Sequence, residues 1–378
     1  MKVTARAINR ATLARQLLLR REPLSVADAM HRVMALQAQH AASPYLAMWN
    51  RIIDLDPADV DAAFADYTVV KGTLMRMTLH AVHTDDYAAF RDAIEPTMYA
   101  THLNGRFTPA GLTLDAGRAL VRDLLEFADQ PRTGEELKAW LEPRCGAVSP
   151  TGVWAILRSY TPMQRVPTGG PWSFTSRSTY IAARTRPVLD LEASAKALEA
   201  LVLRYLAAFG PATVADIAQF ALVQQARVKA ALREMDGAVE RMEGPDGKAV
   251  FDLPGAPRPA EDTAAPPRLM AMWDNTLLAH VDRNRLIPPE YRRLVIRSNG
   301  DVLPTLLVDG YVAGVWRPAE GGIEAAAFHD LPGEVWEEFA AEAGALVALL
   351  ADREPHPYRR YDSWWSKLPG VETRLLAG

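Results

Sequence analysis

From Ser25 onward the apolar residues fall at helical spacing: Val26, Met30, Val33 and Met34, with Gln37 continuing the same stripe. Ser25 followed by Asp28 is an N-cap pattern, so a buried helix is predicted to start here and run toward His40. Pro44 ends it. Residues before a proline avoid the helical region, so the chain should turn near Ala42 or Ser43 and resume over Tyr45 to Ile53. An arginine-rich helix precedes this element, and another near Pro57 to Tyr67 carries its proline at a permitted first-turn position. Period-two alternation then takes over in Thr68 to Lys71 and Leu74 to Val82, predicting a hairpin around Gly72, with Thr84-Asp85-Asp86 capping the next helix.

The same order of elements is predicted twice more. Leu114 to Ala128 reads as a helix, Thr133-Gly134-Glu135-Glu136 caps a second, and Ser149-Pro150 opens a third that runs to Tyr160. Gln164 to Pro167 and Trp172 to Thr175, joined by Thr168-Gly169-Gly170-Pro171, form the expected wing. In the third unit, helix Leu191 to Phe209 breaks at Gly210-Pro211, Thr213 with Asp216 caps the next, and Gln224 to Met235 follows. Strands Val239 to Met242 and Ala249 to Leu253 flank its Gly244-Pro245-Asp246-Gly247 turn. Phe127, Thr133 and Leu137 echo Phe209, Thr213 and Ile217, so tandem winged-helix units are expected at 1–110, 111–188 and 189–254.

Five prolines between Pro254 and Arg268 mark a linker, placed at 255–268. Beyond it lie short apolar runs: Leu269 to Trp273, Leu277 to Val281, Arg293 to Arg297, Val302 to Val308, Tyr311 to Arg317 and Ile323 to Phe328. Asn299-Gly300 and Asp309-Gly310 are hairpin signals between them. A small β-barrel or curled sheet over 269–378 is predicted, closed by a helix from Gly333 to Ala351, in a chain of α+β class.

Composition adds limits. With 378 residues, 49% apolar and 23% charged, the chain is an ordinary globular protein of several domains. Cys145 is its single cysteine, and Met1-Lys2-Val3-Thr4-Ala5-Arg6 opens no signal-peptide region, so a cytoplasmic protein without a membrane partner is expected. The net charge of -4 argues against a uniformly basic nucleic-acid binder, which makes the distribution decisive. Residues 1 to 21 hold six basic residues and no acid: Lys2, Arg6, Arg10, Arg15, Arg20 and Arg21. Residues 143 to 189 are also acid-free and carry Arg144, Arg158, Arg165, Arg177, Arg184 and Arg186. Both stretches are expected to face phosphates.

Conventional catalytic signatures are missing. There is no glycine-rich phosphate loop, no Gly-x-Ser-x-Gly elbow and no helical His-Glu-x-x-His. His80 and His83 have metal-ligand spacing without a third ligand nearby and read better as hydrogen-bonded structural residues, so neither metal nor cofactor is expected. The tail with Tyr358, Tyr361, Trp364 and Trp365 reads as a segment anchored on the barrel.

On the residues alone, Gln37 and Gln39 near a helix end read as one hydrogen-bonded core amide and one solvated edge. Positions i and i+2 do not share a helix face, so both amides can serve one site only if the helix unwinds there. The stretch Ala35-Leu36-Gln37-Ala38-Gln39-His40, with Ser43-Pro44-Tyr45 and Trp49-Asn50-Arg51, resembles the active-site segment of the AlkZ/YcaQ-type winged-helix DNA glycosylases. It is closest to the AlkZ branch, which has a second Gln where the YcaQ branch has Asp. Asp274 to Pro288, with Leu277-Leu278, Asp282-Arg283 and Leu286-Ile287-Pro288, is similar to the wider family as well.

The resemblance implies three winged helices and a β-barrel wrapped as a C-shaped clamp around damaged double-stranded DNA. It implies a monofunctional glycosylase, monomeric and nucleoid-associated in function, in which Gln37 and Gln39 position a water for attack on C1′ of an N7-alkylated guanosine. Bulky antibiotic adducts or crosslinks, and self-resistance, fall within what it implies. DNA contacts are then expected from Arg20, Arg21, Asn50, Arg51, Lys71, Arg76, Arg158, Arg165 and Arg177, and from Arg297 and Asn299 on a barrel hairpin. Family members of this branch carry a His two residues before a proline in that hairpin. If the proline is Pro304, the matching position holds Val302, a departure that bears on minor-groove engagement and substrate range. The alternative is a non-catalytic winged-helix regulator, which would dimerise on symmetric half-sites. A structural interaction protein would leave the acid-free stretches unexplained.

Overall fold

The computed structural model describes residues 2–98, 113–145, 149–184, 190–369 and 372–377; Arg186 and the expected boundaries at 110/111 and 188/189 lie outside them. Helix α1 spans Ala5–Arg15, capped by Thr4, and α2 spans Val26–Val33, capped by the Ser25 side chain accepting from Asp28 N–H. The prediction that α2 runs toward His40 fails. Met34 takes φ 71°, outside the right-handed helical region, and Leu36–Gln37 form strand β1 instead. Helices α3 (Ala42–Trp49) and α4 (Pro57–Ala65) follow, so Pro44 falls in the first turn of a new helix, where its missing N–H costs nothing.

Strands β2 (Val69–Thr73) and β3 (Leu79–His83) make the first hairpin, and α5 (Thr84–Thr97) is capped by His83. The turn is not at Gly72, as the alternation predicted, but at Met75–Met77. Gly72 lies inside β2 because a Cβ there would come within 2.9 Å of Tyr87 and 3.2 Å of the Met163 carbonyl.

The second unit has α6 (Leu114–Phe127), β4 (Arg132–Thr133), α7 (Gly134–Leu141) with the Thr133–Glu136 capping box, and α8 (Pro150–Tyr160). Its strands are β5 (Met163–Val166) and β6 (Thr179–Ala182). Trp172 to Thr175 is therefore not the return strand. Trp172 and Phe174 turn inward instead, against Tyr45 and Phe64 of the first unit. The third unit has α9 (Leu191–Phe209), α10 (Val214–Ala221), α11 (Gln225–Glu234), β7 (Glu240–Glu243) and β8 (Ala249–Asp252).

In each unit a short segment pairs antiparallel with the last strand, after α2 in the first unit and after the first helix in the other two: β1 with β3, β4 with β6, and Ala212 with Phe251. The first two units share one six-stranded sheet in the order β1-β3-β2-β5-β6-β4, with Lys71 opposite Arg165 and Gly72 opposite Gln164 at the junction.

After Leu253 the chain has only turns until β9 (Arg268–Met270). This expected linker is bonded along α1: Arg6 Nε donates to Glu261 O at 3.1 Å, Arg10 Nε to Thr263 O at 2.7 Å and Arg15 Nε to Pro257 O at 3.2 Å. The C-terminal sheet adds β10 (Thr305–Val308), β11 (Tyr311–Ala319), β12 (Gly322–Ala327) and β13 (Glu372–Ala377), in the order β13-β12-β11-β10-β9. It is an open sheet and not the predicted barrel. Leu277 to Val281 begins in a 3-10 turn and Arg293 to Arg297 in a short helix, α12 (Arg292–Val295), so the strands needed for closure are missing among the described residues. Helix α13 (Gly333–Ala351) covers the sheet with Trp336, Phe339, Ala343, Leu346 and Leu350. One apolar core joins α2 and α3 to this sheet through residues such as Leu46, Met48, Leu269 and Trp316. Among the described residues, no helix is long and apolar enough to cross a membrane.

Candidate active site and nucleic-acid face

Gln37 ends β1 and Gln39 lies two residues on in a bend, so the chain has left the helix at this motif, as both amides serving one site would require. Gln37 lies opposite His80 in the ladder, and Ala38 N–H donates to Leu79 O at 2.7 Å. The Gln37 carboxamide is nearly buried, and its Oε1 accepts from Arg76 Nη2 at 2.8 Å. The same nitrogen donates to Asn275 Oδ1 at 2.8 Å, and Asn275 Nδ2 donates back to Ala35 O at 2.9 Å. Arg76 itself stands at φ 52°, with its guanidinium 4.9 Å from the centre of the Phe220 ring. Burial, then the neighbouring Arg283, lower its pKa to about 9. Parts of the first and third repeats and the segment after β9 therefore converge on one amide, directly or through Arg76.

Gln39 is exposed, and its Oε1 accepts the Leu79 backbone N–H at 3.1 Å. It lines a cavity of about 540 Å³ together with His40, Lys71, Arg165, Arg177 and Arg360. Lys71 is buried, with its ammonium 4.4 Å from the Phe174 ring centre, and Arg165 lies over Tyr180 at 4.1 Å. The carboxylate on the lining, Glu354, accepts the Trp172 indole N–H at 2.6 Å. Burial, then Arg360 and Lys71, lower His40 to about 4, so its imidazole is neutral near pH 7 and Nδ1 accepts Ala42 N–H at 3.2 Å. The C-terminal tail closes this side: Tyr358 bonds to Ser43 Oγ at 3.1 Å and packs edge-on against His40. His40, Asn275, Phe220 and Arg360 were not singled out in the sequence. Asn275 and His40 had a signal, their places in the Asp274 to Pro288 and Ala35 to His40 resemblances.

Two expected DNA contacts are overturned by burial. Asn50 is fully buried, and its Nδ2 donates to Leu46 O and Leu269 O. Arg51 is fully buried too, donating through two nitrogens to both oxygens of Asp274 at 2.9 and 3.0 Å, and to Ala47 O. Neither can reach a phosphate. Arg21 is engaged as well, bidentate to Glu342 and stacked over Trp49, whereas Arg20 is exposed. Nor does the first acid-free stretch form a phosphate face. Lys2 pairs with Glu243, Arg6 and Arg10 with Asp309, Arg15 with Asp252 and Arg21 with Glu342. Its acids come from the far end of the chain.

The second stretch differs. No carboxylate pairs with Arg144, Arg158, Arg165, Arg177 or Arg184 among the described residues, and Arg158 and Arg177 are exposed. In the hairpin before β10, Arg297 N–H bonds Asp301 O at 2.8 Å and Ile296 pairs with Val302, leaving Ser298, Asn299 and Gly300 exposed at its tip. Val302 is buried, so that position offers no side chain to a groove. His80 is buried, lowered to about 3 by burial and Arg76, while the His83 side chain caps α5. Among the described residues no group of three or more His, Cys, Asp or Glu is arranged to hold a metal.

A family model described as DNA glycosylase AlkZ-like matches residues 30–349, most of the chain. The chain belongs to this AlkZ-like family of DNA glycosylases. Among proteins of known role it is similar to an interstrand DNA cross-link repair glycosylase from Streptomyces sahachiroi, 26% identical over 371 residues, covering 90% of this chain and 96% of that one. Among solved structures it resembles the Streptomyces sahachiroi DNA glycosylase AlkZ, with a TM-score of 0.78 at 20% identity, covering 94% of this chain and 99% of that one. That likeness establishes a common mixed α and β fold.

Proposed function

We propose that this chain hydrolyses the N-glycosidic bond of N7-alkylated guanine in duplex DNA, with Gln37 and Gln39 as the catalytic residues. The observation that carries the reading is the pair of amides, one clamped by Arg76 and the other on the rim of a cationic cavity. Guanine alkylated at N7 is already a cation, so its departure neutralises the base and needs no general acid. What remains is to hold a water and to face an oxocarbenium-like sugar. A carboxamide oxygen has two lone pairs, and the bond each makes to Arg76 or Leu79 leaves one for a water. Because water and not an enzyme amine displaces the base, the glycosylase is monofunctional in this step.

We read the three repeats as winged-helix units that clamp damaged DNA as a monomer, with Arg158, Arg165 and Arg177 toward the backbone and Arg297 and Asn299 at a groove. Lys71 lines the same cavity as Arg165 and Arg177, and the exposed Arg20 is added to these contacts. The name of the Streptomyces relative, an interstrand DNA cross-link repair glycosylase, extends the proposed substrate to interstrand crosslinks. The test is incubation of the full chain with duplex carrying a single N7-methylguanine, followed by heat or alkali. Strand breaks at the lesion are expected, and an intact strand would remove the reading.

Two further results are expected. Reversing Arg158 and Arg165 to Glu should weaken duplex binding irrespective of sequence and flatten the log-log salt dependence by ~0.9 for each phosphate that is no longer neutralised. An unchanged slope in a salt titration would move the DNA face elsewhere. Excision should also continue in excess chelator, because His80 and His83 are engaged without a third ligand. Loss on chelation with recovery on adding zinc would contradict this.

A further inference from the structure

We propose that Lys71 captures the abasic product of excision as an imine, its amine attacking C1′ of the ring-opened sugar. This rests on the reading that the cavity beside Gln39 receives the lesion nucleotide. Of the seven lysines in the chain, Lys71 is the buried one; Lys138 is half-buried and Lys2, Lys196, Lys229, Lys248 and Lys367 are exposed. It stands on β2 at the junction of the two hairpins, opposite Arg165, and opens onto the cavity that Gln39 lines.

A buried ammonium ordinarily needs a carboxylate, because taking an unpaired charge out of water is costly. Among the described residues Lys71 has none: its close neighbours are the Phe174 ring and the cation Arg165. The aromatic face offsets part of that cost at most. Burial and then Arg165 lower the amine to about 7, so near neutral pH a large share of it is the free base, the form that attacks carbonyl carbon. A lysine retained only to hold phosphate gains nothing from this setting, since charge is what it would need.

Excision by water leaves a hemiacetal at C1′ in equilibrium with the open aldehyde. The Nζ lone pair forms the C–N bond as the carbonyl pair moves to oxygen. A proton passes from nitrogen to that oxygen, and water leaves to give the imine. Water returning reverses the step, so the capture holds a reactive product without consuming the enzyme.

The test uses the full chain and duplex with one preformed abasic site, made by removing uracil enzymatically, so base excision is not required. Sodium borohydride is added to reduce the imine to a stable secondary amine. The expected result is a protein–DNA adduct on a denaturing gel, mapped by peptide mass spectrometry to Lys71. It should fall about tenfold or more in Lys71→Ala, checked for fold by circular dichroism. No adduct, or one on another lysine or the N-terminal amine, overturns the proposal whatever the variant does. Excision of N7-methylguanine by the unaltered chain, run in parallel, tests the glycosylase reading separately.

Discussion

Replacing Gln39 with alanine is expected to slow single-turnover excision of N7-methylguanine by about 10²-fold or more, with lesion binding and the melting curve near those of the parent. A group that positions water and faces transition-state charge contributes little to ground-state binding, so the loss belongs in the rate. Gln39 is exposed and its bond is to the Leu79 N–H at the rim of the sheet, where water can replace it. Gln37→Ala should lose a comparable rate but also ~1 to 2 kcal/mol of stability, because Arg76 then keeps a buried donor with one acceptor fewer. If Gln39→Ala excises at the parent rate with an unaltered circular-dichroism melt, the catalytic assignment is wrong and a binding role replaces it.

Arg51→Ala is expected to give the largest loss of stability among single substitutions at the motif, ~3 to 5 kcal/mol by denaturant titration, since it leaves the buried Asp274 carboxylate uncompensated. Burial alone would raise the Asp274 pKa. The Arg51 guanidinium and the Thr276 hydroxyl outweigh that and hold it below the usual carboxylate range. A carboxylate with a depressed folded pKa stabilises fully above its unfolded value of ~4, and this contribution disappears as pH falls through the lower folded value. The parent chain should therefore lose stability on acidification in that range. Asp274→Asn should show a shallower dependence there, and equal slopes would contradict the assignment.

Much of the fold could be read because local signals decided it. Ser25, Thr133, Thr213 and Pro57 mark helix starts that the structure has within a residue. What could not be read depended on distant partners. The stripe through Val33, Met34 and Gln37 continues the helix on paper, and the break comes from β3 offering Leu36 and Gln37 a ladder. Arginines 1 to 21 resemble a phosphate face until their acids, 237 to 321 residues away, are in place. Arg51 shows the same limit: its tripeptide with Trp49 and Asn50 marks the family, but nothing local says that its charge is spent on Asp274. The open C-terminal sheet differs from the barrel for a related reason, since Leu277 and Arg293 lie in apolar runs that pass equally well for strands.

The bonds along α1 also set a timetable for synthesis. Arg6 and Arg10 meet Asp309, whose neighbour Gly310, at φ 81°, packs so closely that a Cβ would come within 2.6 Å of Asn9 and Leu13. At roughly 5 to 20 residues per second on a ribosome, the first helix emerges on the order of 15 to 60 seconds before the loop it docks against. During that interval its cations have no folded acids to meet. A nascent chain of this protein thus presents a basic segment whose Arg6, Arg10, Arg15 and Arg21 find their acids only in the finished molecule, and the ribosome's own RNA is the nearest polyanion.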